Sequence, residues 1–166
     1  VAAAETWNPE EYAEMLHDFI EEARDVMESF GSSLVALEKN PADRDLVDRI
    51  FRAAHTLKGG AGMMNLKSME RLTHRMENRL DAIRKGQEAV TPVLMDGLLA
   101  GLDGLKEMLA SVTAGEAPQV DIEPLLAQLD GQLESAPPTA PPTVSPFAAP
   151  PPAPAEHAPA PETSER

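Results

Sequence analysis

The chain has no cysteine, so disulfides, thiolate metal ligands and a cysteine nucleophile are all excluded. Long apolar runs are missing as well. No segment approaches the roughly 20 apolar residues of a membrane-spanning helix, and the start, VAAAETWNPEE, lacks the basic and apolar regions of a signal peptide. The expectation is a soluble, cytoplasmic protein without direct membrane insertion. Bases are scarce: 14 Lys and Arg stand against 28 Asp and Glu, for a net charge of −14. That disfavours nucleic acid as a partner, because phosphate backbones are bound by Lys and Arg. No segment alternates with period two, so strands are not expected. Without strands or a glycine-rich loop at a helix start, the chain is not expected to bind ATP by itself.

Proline is plentiful but confined. Of 16 prolines, 11 lie between Pro137 and Pro161, and residues 136–166 read as an extended spacer or tail that cannot form a packed core. Residues 1–135 then form the folded domain. Charge is also uneven: residues 1–39 carry −8, residues 40–87 carry +4 and residues 88–166 carry −10. The one basic block is suited to an anionic partner surface.

The folded part reads as helix throughout. Asn8-Pro9 gives an N-cap and a proline at the first helical position. A stripe of Tyr12, Leu16, Phe19, Ala23, Val26, Phe30, Leu34 and Leu37 then predicts a helix over 9–38, about 45 Å long. Asn40-Pro41 predicts a second helix over 41–64 with Val47, Ile50, Ala54, Leu57 and Ala61 on its core face. Asn65 suits a left-handed stop. Ser68 is read as the cap of a third helix, 69–85, and Thr91-Pro92 as the start of a fourth, 92–114. A short fifth helix spans 122–134. The fold class expected is all-α: an antiparallel up-down four-helix bundle with a short fifth helix alongside and a disordered Pro-rich tail.

One stretch of the second helix is unusual: AAHTLKGGAG, residues 53–62. Three interior glycines forgo about 2–3 kcal/mol of helix propensity relative to alanine. At 100° per residue, His55 lies about 130° from the centre of the core stripe, so it is expected on the polar face. Gly59 and Gly62 follow it along the same ridge and leave bare backbone, which lets a bulky partner approach the ring. Gly60 lies nearer the core side, where a glycine also permits a close helix crossing. Lys58, three residues after the histidine, brings an ammonium within reach of whatever the ring carries.

His74 and Glu77 share a polar face of the third helix with Glu70, Asp81 and Arg84. In a hairpin closed at NLKS, this part of the helix runs back past His55. A carboxylate there could accept the proton of one ring nitrogen and leave the other with its lone pair; the alternative is that His74 and Glu77 belong to an ordinary solvated face. An imidazole so oriented, flanked by a lysine and open to a partner, is a nucleophile for a phosphoryl group.

The segment FRAAHTLKGGAGMMNLKSMERLTHRMENRLDAIRKG, residues 51–86, resembles the histidine phosphotransfer (HPt) domain at the N-terminus of CheA-type chemotaxis histidine kinases. The resemblance implies that His55 is phosphorylated and that Lys58 stabilises the phosphoryl charge. It also implies that His74 and Glu77 orient the ring and that Gly59, Gly60 and Gly62 give access to it. A kinase catalytic domain, in the same protein or another, would supply the phosphoryl group from ATP and Mg²⁺. A CheY-like response regulator, with its own Mg²⁺, would collect it on an aspartate. The domain itself would bind no cofactor or metal and would be monomeric. The proline-rich tail would lead on to further modules. Where the family often has Phe-Gly after the glycine run, this chain has Met64-Asn65.

Arg52, Ile20 and Met15 are candidate docking residues for the regulator. Two other readings compete with the phosphorelay. A helical scaffold or adaptor would make His55 dispensable. A metal site built from His17, His55 and His74 with Glu77 lacks the i, i+4 histidine pair of helical metal ligands.

Overall fold

Asn8 accepts a hydrogen bond from the Glu10 N–H and Pro9 takes the first position of a 3₁₀ turn, Pro9–Tyr12, which leads into α1, Ala13–Lys39. The computed structural model describes residues 7–131, so the tail expected from 136 onward and the last turn predicted for the fifth helix lie outside them. Four more helices follow: α2 Arg44–Met63, α3 Lys67–Arg84, α4 Pro92–Thr113 and α5 Glu123–Leu129. Among the described residues there is no strand and no helix long and apolar enough to cross a membrane.

Two helix starts differ from the sequence expectation. At the first, the backbone N–H of Asn40 is already bonded to Ala36 and Leu37 at the end of α1. The cap of α2 is instead Asp43, whose carboxylate accepts from the N–H groups of Asp45 and Leu46. At the second, α3 begins before Ser68, with fully buried Leu66 at the cap position. Burying Leu66 contributes about 1.5–3 kcal/mol, more than the roughly 1 kcal/mol of a side-chain cap. Thr91 caps α4 as the sequence indicates, accepting from the Leu94 N–H.

α1 packs against α2 and α4, α3 packs against α2 and α4, and α5 lies on α3 and α4. One core runs through them, including Phe30, Leu34, Ile50, Leu57, Leu72, Met76, Leu98 and Leu105. The apolar arc of α1 is wider than one stripe because it faces two helices, so Ile20 and Met27 are buried while Tyr12, Leu16 and Val26 are only partly covered. The glycines of α4 admit their neighbours. A Cβ at Gly104 would stand 2.5 Å from Leu125 of α5, and one at Gly101 would stand 3.0 Å from the Met76 sulfur.

Candidate functional site

α2 and α3 are joined by a tight turn that sets the site's geometry. Asn65 adopts φ 55°, its N–H bonds to Gly62, and the Leu66 N–H reaches back to the Ala61 carbonyl at 2.9 Å. This is a Schellman ending, in which a left-handed residue satisfies the last carbonyls of a helix. Asparagine tolerates that conformation better than most residues. Met64 is buried and its carbonyl accepts from the Trp7 indole at 2.9 Å, which fastens the start of the chain to the turn.

From that turn the two helices run in opposite directions in step. His55 meets Glu77. Seven residues toward the N-terminus of α2 and seven toward the C-terminus of α3, Asp48 meets Arg84. Seven residues the other way, Gly62 lies against Glu70.

His55 stands outward with 64% of its side chain exposed, and its Nδ1 is 2.7 Å from Oε1 of Glu77, which is only 10% exposed. Lys58 reaches the other carboxylate oxygen, Nζ to Oε2 at 2.5 Å. That contact is an ion pair; apart from it Oε2 has no hydrogen-bond partner. Burial pushes the Glu77 carboxyl upward, but Lys58 and His55 together outweigh it and hold the group below its ordinary value of 4.5. Glu77 is therefore ionised at neutral pH and can only accept. Nδ1 must carry a proton, and in the neutral ring Nε2 then keeps its lone pair. Among the described residues no hydrogen-bond partner reaches Nε2.

The three glycines divide. A Cβ on Gly59 would meet nothing within 4 Å, so the surface one turn beyond His55 is open. Gly60 does not give access. A Cβ there would lie 2.9 Å from the Phe19 ring, so this glycine lets α1 cross α2 closely. Gly62 is covered by the Glu70 carboxylate, 3.4 Å from where its Cβ would be.

His74 also departs from expectation. It is exposed in the groove between α3 and α5, alongside Arg71, Arg75, Glu123 and Asp130, and contacts neither His55 nor Glu77. Three positions separate it from Glu77, which turns it about 60° around the helix, enough to move it from the α2 side to the α5 side. Of the docking candidates, Arg52 is exposed one turn before His55, and Met15 is 48% exposed on α1. Ile20 is buried in the core and is not free to dock.

The structure adds two residues. Phe51, one turn before His55, stacks on the imidazole with centroids 6.3 Å apart and planes 19° from parallel. The guanidinium of Arg84 lies 4.1 Å from the centre of the Phe51 ring. The i, i+4 spacing of Phe51 and His55 was the available signal. Among the described residues no three His, Asp or Glu side chains converge as a metal-ligand set.

The sequence model of the Hpt domain matches residues 14–115. The chain belongs to the Hpt domain family. Its relatives are CheA proteins. This Hpt chain is 40% identical over 123 residues to chemotaxis protein CheA of Treponema pallidum (strain Nichols), covering 74% of this chain and 15% of that protein. It is 43% identical over 112 residues to CheA of Bacillus subtilis (strain 168), covering 68% and 17%. The chain thus spans about a sixth of the length of these curated relatives.

Among solved structures, the CheA phosphotransferase domain from Thermotoga maritima matches with TM-score 0.58 at 39% identity, covering 60% of this chain and 95% of that one. The solution structure of a CheA histidine phosphotransfer domain matches with TM-score 0.66 at 35% identity, covering 74% and 93%. The phosphorylated P1 domain of CheA3 in complex with CheY6 from R. sphaeroides shares the fold, with TM-score 0.65 at 23% identity over 72% of this chain and 94% of that one.

Proposed function

We propose that this Hpt domain is a phosphorelay module of a chemotaxis two-component system and that His55 carries the phosphoryl group. The observation that supports it is an exposed imidazole whose Nδ1–H is held by a buried, ionised carboxylate while Nε2 stays free. In the first step Nε2 attacks the γ-phosphorus of ATP held by a kinase catalytic domain. The N–P bond forms as the bond to the ADP oxygen breaks. The ring gains positive character, which the Glu77 carboxylate opposes across 2.7 Å. In the second step an aspartate oxygen of a CheY-like receiver attacks phosphorus, the N–P bond breaks and its electron pair returns to Nε2.

Lys58 keeps Glu77 ionised and places positive charge beside the transferred group. Gly59 leaves room for both partners' active sites. Arg52 and Met15 are positioned on exposed surface for docking. The P1 domain of like fold from R. sphaeroides is phosphorylated and bound to CheY6, and this reading gives the present chain a partner of the same kind. ATP and Mg²⁺ belong to the kinase domain and the receiver. The domain works as a cytoplasmic monomer on an antiparallel up-down four-helix scaffold, and the proline-rich segment from residue 136 is its spacer.

The test is incubation with a CheA kinase, labelled ATP and Mg²⁺. Acid-labile, base-stable label that is absent from His55→Gln and passes to a CheY-like regulator supports the reading. Label retained in His55→Gln overturns it and leaves a helical adaptor whose histidine is dispensable.

A further inference from the structure

A single hydrogen bond at Nδ1 restricts the plane of an imidazole only loosely, because moderate turns about the bond to Cβ shift Nδ1 little and the hydrogen bond can follow. Sp³–sp² torsions of this kind have broad minima. Something else must hold the ring if Nε2 is to point one way. Phe51 is placed to do so, one turn earlier on the same helix and 19° from parallel to His55.

Phe51 is itself restrained. The Arg84 guanidinium lies 4.1 Å from its ring centre, within the range of a cation–π contact. Arg84 is tied in turn to Asp48 of α2, Nε to Oδ1 at 2.6 Å, and more loosely to Asp81, Nη1 to Oδ1 at 3.7 Å. Asp48 lies one turn before Phe51 on α2. The set Asp48, Arg84, Phe51 and His55 therefore forms a continuous brace across both helices. It approaches the imidazole by its face, while Glu77 holds its edge.

We infer that Phe51, gripped by Arg84, is a positioning residue that holds the plane of the His55 imidazole so that its hydrogen bond to Glu77 persists and Nε2 faces the incoming phosphorus. The inference rests on the phosphoacceptor reading of His55 and adds the part that orients the ring. Misplacing a nucleophile by about 1 Å costs on the order of 100-fold in rate. Partial loosening of this brace is expected to cost roughly tenfold.

The test reads the ring directly. At a pH where the imidazole is neutral, ¹⁵N NMR of the wild-type chain should show well-separated shifts for Nδ1–H and Nε2 of His55. Phe51→Leu keeps apolar bulk but removes the stacking face, and its two shifts should converge as the tautomers mix. Phe51→Tyr should restore the separation. Arg84→Gln, outside the core, should move the shifts in the same direction as Phe51→Leu but less.

In parallel, phosphoramidate serves as a small donor that needs no docking. Nε2 forms the N–P bond as the donor's own P–N bond breaks and ammonia leaves, and the ring keeps its Nδ1 proton. Labelling should slow roughly tenfold in Phe51→Leu and recover in Phe51→Tyr. Separated shifts in Phe51→Leu, with labelling within twofold of wild type, overturn the inference. A wild-type ring that loses its order in Phe51→Leu but takes no label at His55 supports the positioning role and overturns the phosphoacceptor reading alone.

Discussion

Lys58 and Glu77 face each other across α2 and α3, with 2.5 Å between Nζ and Oε2. The ammonium is thus engaged by a buried carboxylate that His55 also contacts, so one negative charge serves both an ammonium and a ring N–H. Desolvation by itself favours the neutral acid, and the two partners outweigh it and hold the Glu77 carboxyl below its ordinary value. Lys58 is therefore linked to His55 through the Glu77 carboxylate that both contact.

Glu77→Gln should leave the helical fold intact and slow phosphorylation of His55 by roughly tenfold or more. The amide can present either its oxygen or its NH₂ to the ring, so the Nδ1–H tautomer is no longer enforced. Labelling rates with kinase and ATP, set beside the far-ultraviolet circular dichroism, check this. An unchanged rate would make Glu77 a structural residue only.

The pH dependence of stability has a defined sign. The Glu77 pKa is lowered on folding from 4.5, so the folded state binds fewer protons than the unfolded state in the range just below that value. The stabilisation from this carboxylate is fully present above pH 4.5 and is lost as pH falls through the lower folded value. Lys58→Met should shift this acid limb to higher pH, because Lys58 is the first of the groups that lower the pKa. Thermal melts of both proteins between pH 3 and pH 7, roughly the interval over which carboxylates titrate, test it.

Gly59→Ala and Gly60→Ala should move stability in opposite directions. Alanine at 59 meets open space and should stabilise the helix by about 0.5–1 kcal/mol, raising Tm by roughly 2–5 °C. The same methyl group should slow transfer to the regulator. Alanine at 60 would press on the Phe19 ring and should destabilise by about 1–3 kcal/mol. Calorimetry with a transfer assay separates the two effects.

His74→Ala should leave the phosphorylation of His55 within about twofold of wild type, because His74 faces α5 and not the Glu77 carboxylate. A large loss of rate would mean that His74 joins the network during the reaction.

Asn65→Gly should be neutral or slightly stabilising, and Asn65→Val should cost about 1–2 kcal/mol. The residue holds φ 55° at the turn, a conformation that a β-branched side chain resists. Urea titrations of the two variants are sufficient.

The helical segments, most core positions and the approach of His55 to Glu77 were legible in the sequence because helical periodicity and a short hairpin nearly determine them. Other features depended on tertiary contacts that periodicity does not encode. Ile20 belongs to the core because α1 faces two helices. Gly60 and Gly62 face Phe19 and Glu70, side chains of other helices. His74 differs from Glu77 by three positions, and only the placement of α5 decides which of them faces α2. The stacking of Phe51 is local and could have been anticipated. The hold of Arg84 on it is not local, since it comes from the far end of α3.

The matched seven-residue steps of α2 and α3 on either side of the His55–Glu77 contact make the hairpin a ruler. One residue inserted between Asn65 and Glu77 would swing the carboxylate about 100° around its axis and carry it about 1.5 Å along, out of reach of the imidazole. Such a domain tolerates exchange of the residues that fill its interior far more readily than any change in the number of residues separating the turn from the carboxylate.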